Sequence, residues 1–374
     1  MTKRLIFLLI TLIFIAGCNR APQPTADQSE PTPTPLPDKA ILDQRGQVIL
    51  LPDQVSSIVA IPMPAASLIV ALDGTADRIS GLHPAAQTAA EHSILGTIAP
   101  SLLDANTSFI SQGFSVNLEE LLALNPDIVL QWSNQGDDII NTLDQAGIRT
   151  VGLSYGTQQD LETWINLIGK ILGKPERAQS LIDWQQSIFT QIQTSAAKIP
   201  DDQRPTILYL APVETLRTFG GNTYNQTYFD ATAAINVAAD TTGFNNLTME
   251  QIIAWNPDII YVGNFGKSTA DDILNNSIDG QDWSTLTAVK NNRVYQIPLG
   301  GYRWDPPNQE STLMWLWLLR VQHPANAIGN LLGQIKGFYA EYYGYQLTDQ
   351  EIADILRCDI GSNPTLSICQ DLNK

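Results

Sequence analysis

The run Gly300-Gly301-Tyr302-Arg303-Trp304-Asp305-Pro306-Pro307 concentrates recognition chemistry. Arg303 carries a planar fork of donors that suits a carboxylate or an oxyanion. Tyr302 and Trp304 flank it with flat apolar rings, each bearing one polar handle. Two glycines give the backbone freedom and two prolines stiffen the exit. A mobile surface loop has no need of this composition, so the run is expected to line a ligand site. The competing reading is an ion pair of Arg303 with Asp305 or Glu310, with Trp304 in the core. Further candidates sit where strands are expected to end. Trp132 follows the apolar run 128–130 and either faces a ligand or packs on the next helix. Pro62 to Ser67, with Pro64, opens a helix whose amino terminus favours an anion. His83 begins a loop and is a candidate for ligand or metal, although a lone histidine is more often an ordinary loop residue.

These residues need a scaffold, and the sequence writes part of it twice. NLEELLALNPDIVL at 117–130 and TMEQIIAWNPDIIY at 248–261 share Glu119/Glu250, Ala123/Ala254, Asn125/Asn256, Pro126/Pro257, Asp127/Asp258 and Ile128/Ile259. Leu118, Leu121 and Leu122 recur at helical spacing, as do Met249, Ile252 and Ile253. Asn-Pro-Asp is a turn signal that ends each helix. The β-branched runs that follow fit strands buried on both faces, as in a parallel sheet. Each copy therefore reads helix, tight turn, buried strand. Copies 131 residues apart fit two similar α/β lobes and are too widely spaced for a solenoid. Between them, residues 159–199 form a helical stretch interrupted only by Gly169, Gly173 and Pro175, and are expected to connect the lobes.

The amino terminus reads as an export signal. Lys3 and Arg4 precede an apolar run from Leu5 to Ala16, too short to span a bilayer comfortably. Residues 19–40 are rich in Pro and Thr and read as a disordered tether. The domains expected are thus signal 1–18, tether 19–40, lobe 41–158, connecting helix 159–199, lobe 200–345 with a closing helix, and tail 346–374. In the tail, an oxidising setting favours a disulfide between Cys358 and Cys369 over two free thiols. The net charge of −17 argues against nucleic acid as partner. No Gly-x-Ser-x-Gly, His-Glu-x-x-His or P-loop occurs, and neither catalytic residues nor a structural metal site are assigned. An exported hydrolase and a stalked surface interaction module are the alternatives from other classes.

Several signatures occur in order: IVAIPMPAASLIVALDGTADRISGL at 58–82, the duplicated pair, GNTYNQTYFDATAAINVAA at 221–239 and WSTLTAVKNNRVYQIP at 283–298. Together they resemble the periplasmic-binding-protein family that delivers ferric siderophores, haem and cobalamin to ABC importers. Ile15-Ala16-Gly17-Cys18 likewise resembles the bacterial lipobox, which implies a lipid-anchored Cys18. The family resemblance implies an α/β protein of two Rossmann-like lobes joined by one long rigid helix, with the ligand in the cleft between them. It implies a cell-envelope receptor, monomeric, anchored only by its lipid and facing out of the cytoplasm. Its partners would be an ABC permease with its ATPase and a small metal chelate, with no cofactor of its own. The ligand expected is an iron chelate (siderophore or haem) or cobalamin, the runner-up being an oxyanion such as molybdate. The stretch Phe219 to Tyr224 resembles the family's cleft loop, adding Asn222 and Tyr224, with Arg217 beside it as extra positive charge. Acidic residues at the lobe tips would meet the permease: Asp137 or Asp138 in the first lobe, Asp230 in the second.

Overall fold

The computed structural model of the protein describes residues 39–134 and 137–372. The expected signal, Cys18 and nearly all of the tether lie outside these residues. Two four-stranded parallel sheets make the two lobes. In the first, the strands run in the order Ile79–Leu82, Ile58–Ala60, Ile128–Trp132, Thr150–Leu153. In the second the order is Val294–Gln296, Ile259–Val262, Thr206–Leu210, Ile235–Asn236. The two repeat strands, Ile128–Trp132 and Ile259–Val262, each occupy an interior position and are buried along their whole length. Helices cover both faces of such sheets, which is why these strands are apolar throughout rather than alternating.

The duplication has a local physical cause. Asn125 and Asn256 stand at φ 45° and φ 43°, the left-handed geometry that ends a helix and that asparagine tolerates. The following aspartate then fastens the helix–strand joint to the neighbouring strand. Asp127 accepts from the backbone N–H of Ser56 at 2.7 Å and of Ser57 at 3.0 Å, at the entry to Ile58–Ala60. Asp258 accepts from the backbone N–H and the hydroxyl of Thr206, both at 2.8 Å, where Thr206–Leu210 begins. Each Asn-Pro-Asp thus closes a helix and sets a strand beside its partner. Asp127→Ala and Asp258→Ala are each expected to lower stability by about 1–3 kcal/mol, read by urea unfolding. The Ser56 N–H holds the Asp127 carboxyl below its ordinary range. Its contribution is therefore present above the ordinary carboxylate pKa and is lost as pH falls through the depressed one.

The stretch 159–199 differs from the single rod expected. It forms two helices, Gln158–Leu172 and Pro175–Ala196. Gly173 closes the first in the left-handed conformation at φ 70°. Pro175 opens the second, where its missing N–H costs nothing. The first helix belongs to lobe one: Trp164 is buried there and its indole N–H donates to the Ser154 carbonyl at 2.7 Å. The second, 22 residues and about 33 Å long, is the brace between the lobes. On it, Gln185 donates to the Gln309 carbonyl at 3.1 Å, and Phe189 packs on Trp315 with ring centroids 4.5 Å apart.

Two helices close lobe two, Ser311–Gln322 and Leu331–Tyr342. The tail then returns along the edge strand Val294–Gln296. Gln296 N–H donates to Asn363 Oδ1 at 3.0 Å, Asn363 returns a bond to the Gln296 carbonyl at 2.8 Å, and Leu299 N–H reaches the Ile355 carbonyl at 2.9 Å. The tail covers an edge that would otherwise present unpaired backbone groups. A Cys358–Cys369 disulfide closes it on itself.

Candidate ligand-binding cleft

Parallel strands aim their carboxyl ends one way, and here both sheets aim them at one cavity of about 120 Å³. Lobe one contributes Met63 and Pro64 from the start of helix Met63–Asp73, Trp132 from the end of its strand, and Tyr155. Tyr155 follows Thr150–Leu153 and is held by a reciprocal pair with Asn134, at 2.7 and 2.9 Å. Lobe two contributes Tyr209, Phe219, Phe244 and Asn225 from one side. Phe219 and Phe244 face each other across the antiparallel pair Arg217–Phe219/Phe244–Asn246. Phe265, Tyr302, Asp305 and Pro306 close the other side. A larger groove, about 450 Å³, lies beside Val55 and Arg78 at the opposite ends of the lobe-one strands, and no lobe-two residue lines it. The smaller cavity is the candidate site because both lobes wall it.

Two guanidinium groups stand behind its aromatic wall. The Arg303 guanidinium carbon lies 4.6 Å from the Phe265 ring centroid; its Nε donates to the Asn264 carbonyl at 2.8 Å and its Nη1 to the Tyr302 hydroxyl at 3.3 Å. Arg217 lies 4.6 Å over the Phe244 ring. Arg45, Arg78, Arg177 and Arg204 each pair with a carboxylate. Among the described residues Arg217 and Arg303 have none within 4.0 Å, as is also true of Arg149, Arg293, Arg320 and Arg357. Inside the cavity, the Trp132 indole N–H, the Tyr155 hydroxyl and the Asn225 carboxamide have no hydrogen-bond partner among the described residues. Asp305 is 1% exposed. Its Oδ2 accepts from the Tyr209 hydroxyl and its Oδ1 has no partner. Burial pushes the Asp305 carboxyl up to about 6, against the Tyr209 hydrogen bond and the Arg303 charge, which favour ionisation. Gly263 is required beside this pair, because a Cβ there would run into the Tyr209 hydroxyl and Asp305 Oδ2.

Of the residues singled out in the sequence, Tyr302, Trp132 and Pro64 line the cavity, and Arg303 and Arg217 back its rings. Four lie elsewhere. Trp304 is in the core, its indole N–H donating to Glu310 Oε2 at 2.6 Å. Tyr224 is fully buried and its hydroxyl donates to Gln158 Oε1 at 2.6 Å, a strut from lobe two to lobe one. Asn222 is exposed and accepts from the Gly243 N–H at 2.6 Å, which closes its own loop. His83 is buried, stacked 4.2 Å from Phe114, and caps the helix Pro84–Glu91 through Nδ1. Burial lowers its pKa, so it is a neutral structural cap. Asp230 is exposed on helix Tyr224–Ala231 and accepts from Gln226 at 2.7 Å. Asp137 and Asp138 head the helix Asp137–Gln145, and their side chains lie outside the described residues. Sequence reasoning passed over Met63, Tyr155, Tyr209, Asn225 and Phe244 as site residues, and singled out Asp305 only as an ion-pair partner for Arg303. Tyr155 carried a usable signal, since it follows a parallel strand as Trp132 does.

A two-lobed α/β body, braced by a helix and open between its strand ends, is the architecture of a solute-binding protein. Residues 101–299 match the family model described as periplasmic binding protein, and the chain belongs to that family. It is the solute-binding component of an ABC importer and not an enzyme, as its relatives are. It is similar to a molybdate-binding protein of Haemophilus influenzae, 24% identical over 82% of this chain and 92% of that one. It is also similar to an uncharacterized ABC transporter substrate-binding lipoprotein of Bacillus subtilis, 27% identical over 78% and 87% of the two chains. Among solved structures, a periplasmic solute binding protein from Veillonella parvula superposes with a TM-score of 0.79 at 38% identity, covering 87% of this chain and 99% of that one.

Proposed function

We propose that this protein is a lipid-anchored extracytoplasmic receptor that captures a small oxyanion of the molybdate type and delivers it to an ABC permease. The observation that carries the reading is the size of the cavity, about 120 Å³. Pockets for drug-sized ligands run to about 300–1,000 Å³, so this space favours a small anion over a ferric siderophore, haem or cobalamin. The donors inside the cavity are neutral, and dipoles fixed in place can stabilise the charge of an anion set among them. The two guanidinium groups behind Phe265 and Phe244 supply the opposite charge. The molybdate-binding relative, matched over most of both chains, points the same way.

A second reading has its own observation: seven aromatic side chains line the cavity, a surface suited to a planar or chelated ligand such as an iron chelate or cobalamin. Titration of the purified body with molybdate, tungstate, sulfate, ferric hydroxamate, haem and cobalamin separates the two through tryptophan fluorescence, Trp132 being the tryptophan that lines the cavity. Molybdate or tungstate binding with a Kd below roughly 100 μM, and no chelate binding more tightly, is the expected result. A chelate bound in preference to every oxyanion would replace the first reading by the second.

Delivery would use the acidic residues Asp230 and Asp137 or Asp138 against the permease. Diacylation of Cys18 would hold the receptor near its importer at high effective concentration.

A further inference from the structure

Resting on the oxyanion reading, we propose that the cavity takes its anion together with one proton, held between the anion and Oδ1 of Asp305. Asp305 lines the cavity; its Oδ1 is buried without a partner, whereas Oδ2 is occupied by the Tyr209 hydroxyl. An ionised carboxylate would set a negative charge and one unpaired acceptor against an incoming anion, a repulsive contact. Once protonated, the same oxygen becomes a hydrogen-bond donor, and its residue lines the cavity. The balance is simple: the anion, one proton from bulk water and ionised Asp305 combine into a complex that holds a neutral carboxyl.

The groups around Asp305 leave it as the titrating member of the site. Tyr209 reaches it from the strand Thr206–Leu210, Tyr302 and Arg303 from its own loop, Tyr155 from lobe one, and Tyr228 from helix Tyr224–Ala231. Burial holds all four phenols above their ordinary range, so they stay protonated near neutrality, and arginine does not deprotonate. Burial also lifts the free Asp305 carboxyl to about 6, which keeps the proton within reach near neutral pH. Above that value the free protein must take up a proton on binding, so the Kd rises by roughly tenfold per pH unit. Glu310 is the remaining raised carboxyl nearby, lying under the loop rather than in the cavity.

The test is calorimetric titration of the whole protein with molybdate from about pH 5.5 to about pH 8.5, in two buffers of different ionisation heat. The expected result is uptake of close to one proton at the alkaline end and a falling affinity above about pH 6. Asp305→Asn, whose carboxamide keeps an acceptor for Tyr209 and offers a permanent donor, should bind with a flat pH profile. At about pH 8.5 it should bind at least roughly tenfold more tightly than the natural protein. Molybdate binding without proton uptake in the natural protein would overturn the proposal and leave the oxyanion reading standing. A slope that survives in Asp305→Asn would assign the proton to Glu310 and overturn it equally. Failure of molybdate to bind at any pH would remove both. The proton count in the natural protein decides the matter even if the variant does not fold.

Discussion

Glu310→Ala is expected to destabilise the protein by roughly 3–5 kcal/mol, the largest single loss we anticipate. The Glu310 carboxylate is fully buried beneath the loop that carries Tyr302 and Asp305. Its Oε1 accepts from the Gly301 N–H and the Tyr343 hydroxyl, both at 2.9 Å. Its Oε2 accepts from the Trp304 indole at 2.6 Å and the Tyr339 hydroxyl at 3.1 Å. Removing the side chain takes the acceptor from donors of two segments at once, the Gly301–Trp304 loop and the end of helix Leu331–Tyr342, and each unsatisfied buried group costs about 1–3 kcal/mol. Glu310→Gln keeps the shape but replaces one acceptor by a donor, so it separates charge from volume. Burial lifts the Glu310 carboxyl to about 7, although its four donors favour the ionised form. A carboxyl whose folded pKa is raised contributes stability that is full below its unfolded pKa and is lost as pH rises through the folded one. The natural protein should therefore lose stability between about pH 4.5 and about pH 7 through this group, and Glu310→Gln should flatten that part of the profile. Thermal unfolding at several pH values reads both effects. An alanine variant as stable as the natural protein would show that the cluster does not hold the loop.

Arg303→Ala is expected to weaken oxyanion binding by roughly tenfold while leaving the fold intact, because it removes a positive charge held behind Phe265, worth about 1–2 kcal/mol across such a distance. Arg303 is half-buried and has no carboxylate partner among the described residues, so its removal strands no opposite charge. Its loss also withdraws the positive charge that favours ionised Asp305. The midpoint of the binding profile should then move to higher pH, an effect that a merely structural role would not produce. Arg303→Lys should recover the charge but not the fork, and so restore binding only in part. An unchanged Kd in Arg303→Ala would reduce the residue to a brace for Phe265.

The architecture was legible because it is written in local rules. Asn125-Pro126-Asp127 and Asn256-Pro257-Asp258 each end a helix and start a buried strand, and hydrogen bonds from neighbouring residues to the two aspartates explain why the sequence repeats. The brace was legible in position but not in number, because the Gly173–Pro175 break separates a helix of lobe one from the helix that spans the lobes. The site was only partly legible. Tyr302, Trp132 and Pro64 follow strand ends and do line the cavity, whereas Trp304, Tyr224 and His83 have the right chemistry and the wrong orientation.

By itself the sequence determined two α/β lobes, a helical connection, a cysteine-closed tail, and the stretch Gly300 to Pro307 beside the cleft. Tertiary structure alone decided which side chains of that stretch line the cavity. Glu310, Tyr339 and Tyr343 draw Trp304 inward, while Tyr209 from another strand holds Asp305 at the cavity wall. Local spacing fixes where the backbone runs. The direction of each side chain is set by buried donors and acceptors far away in sequence, which must find one another because leaving them unpaired away from water is costly.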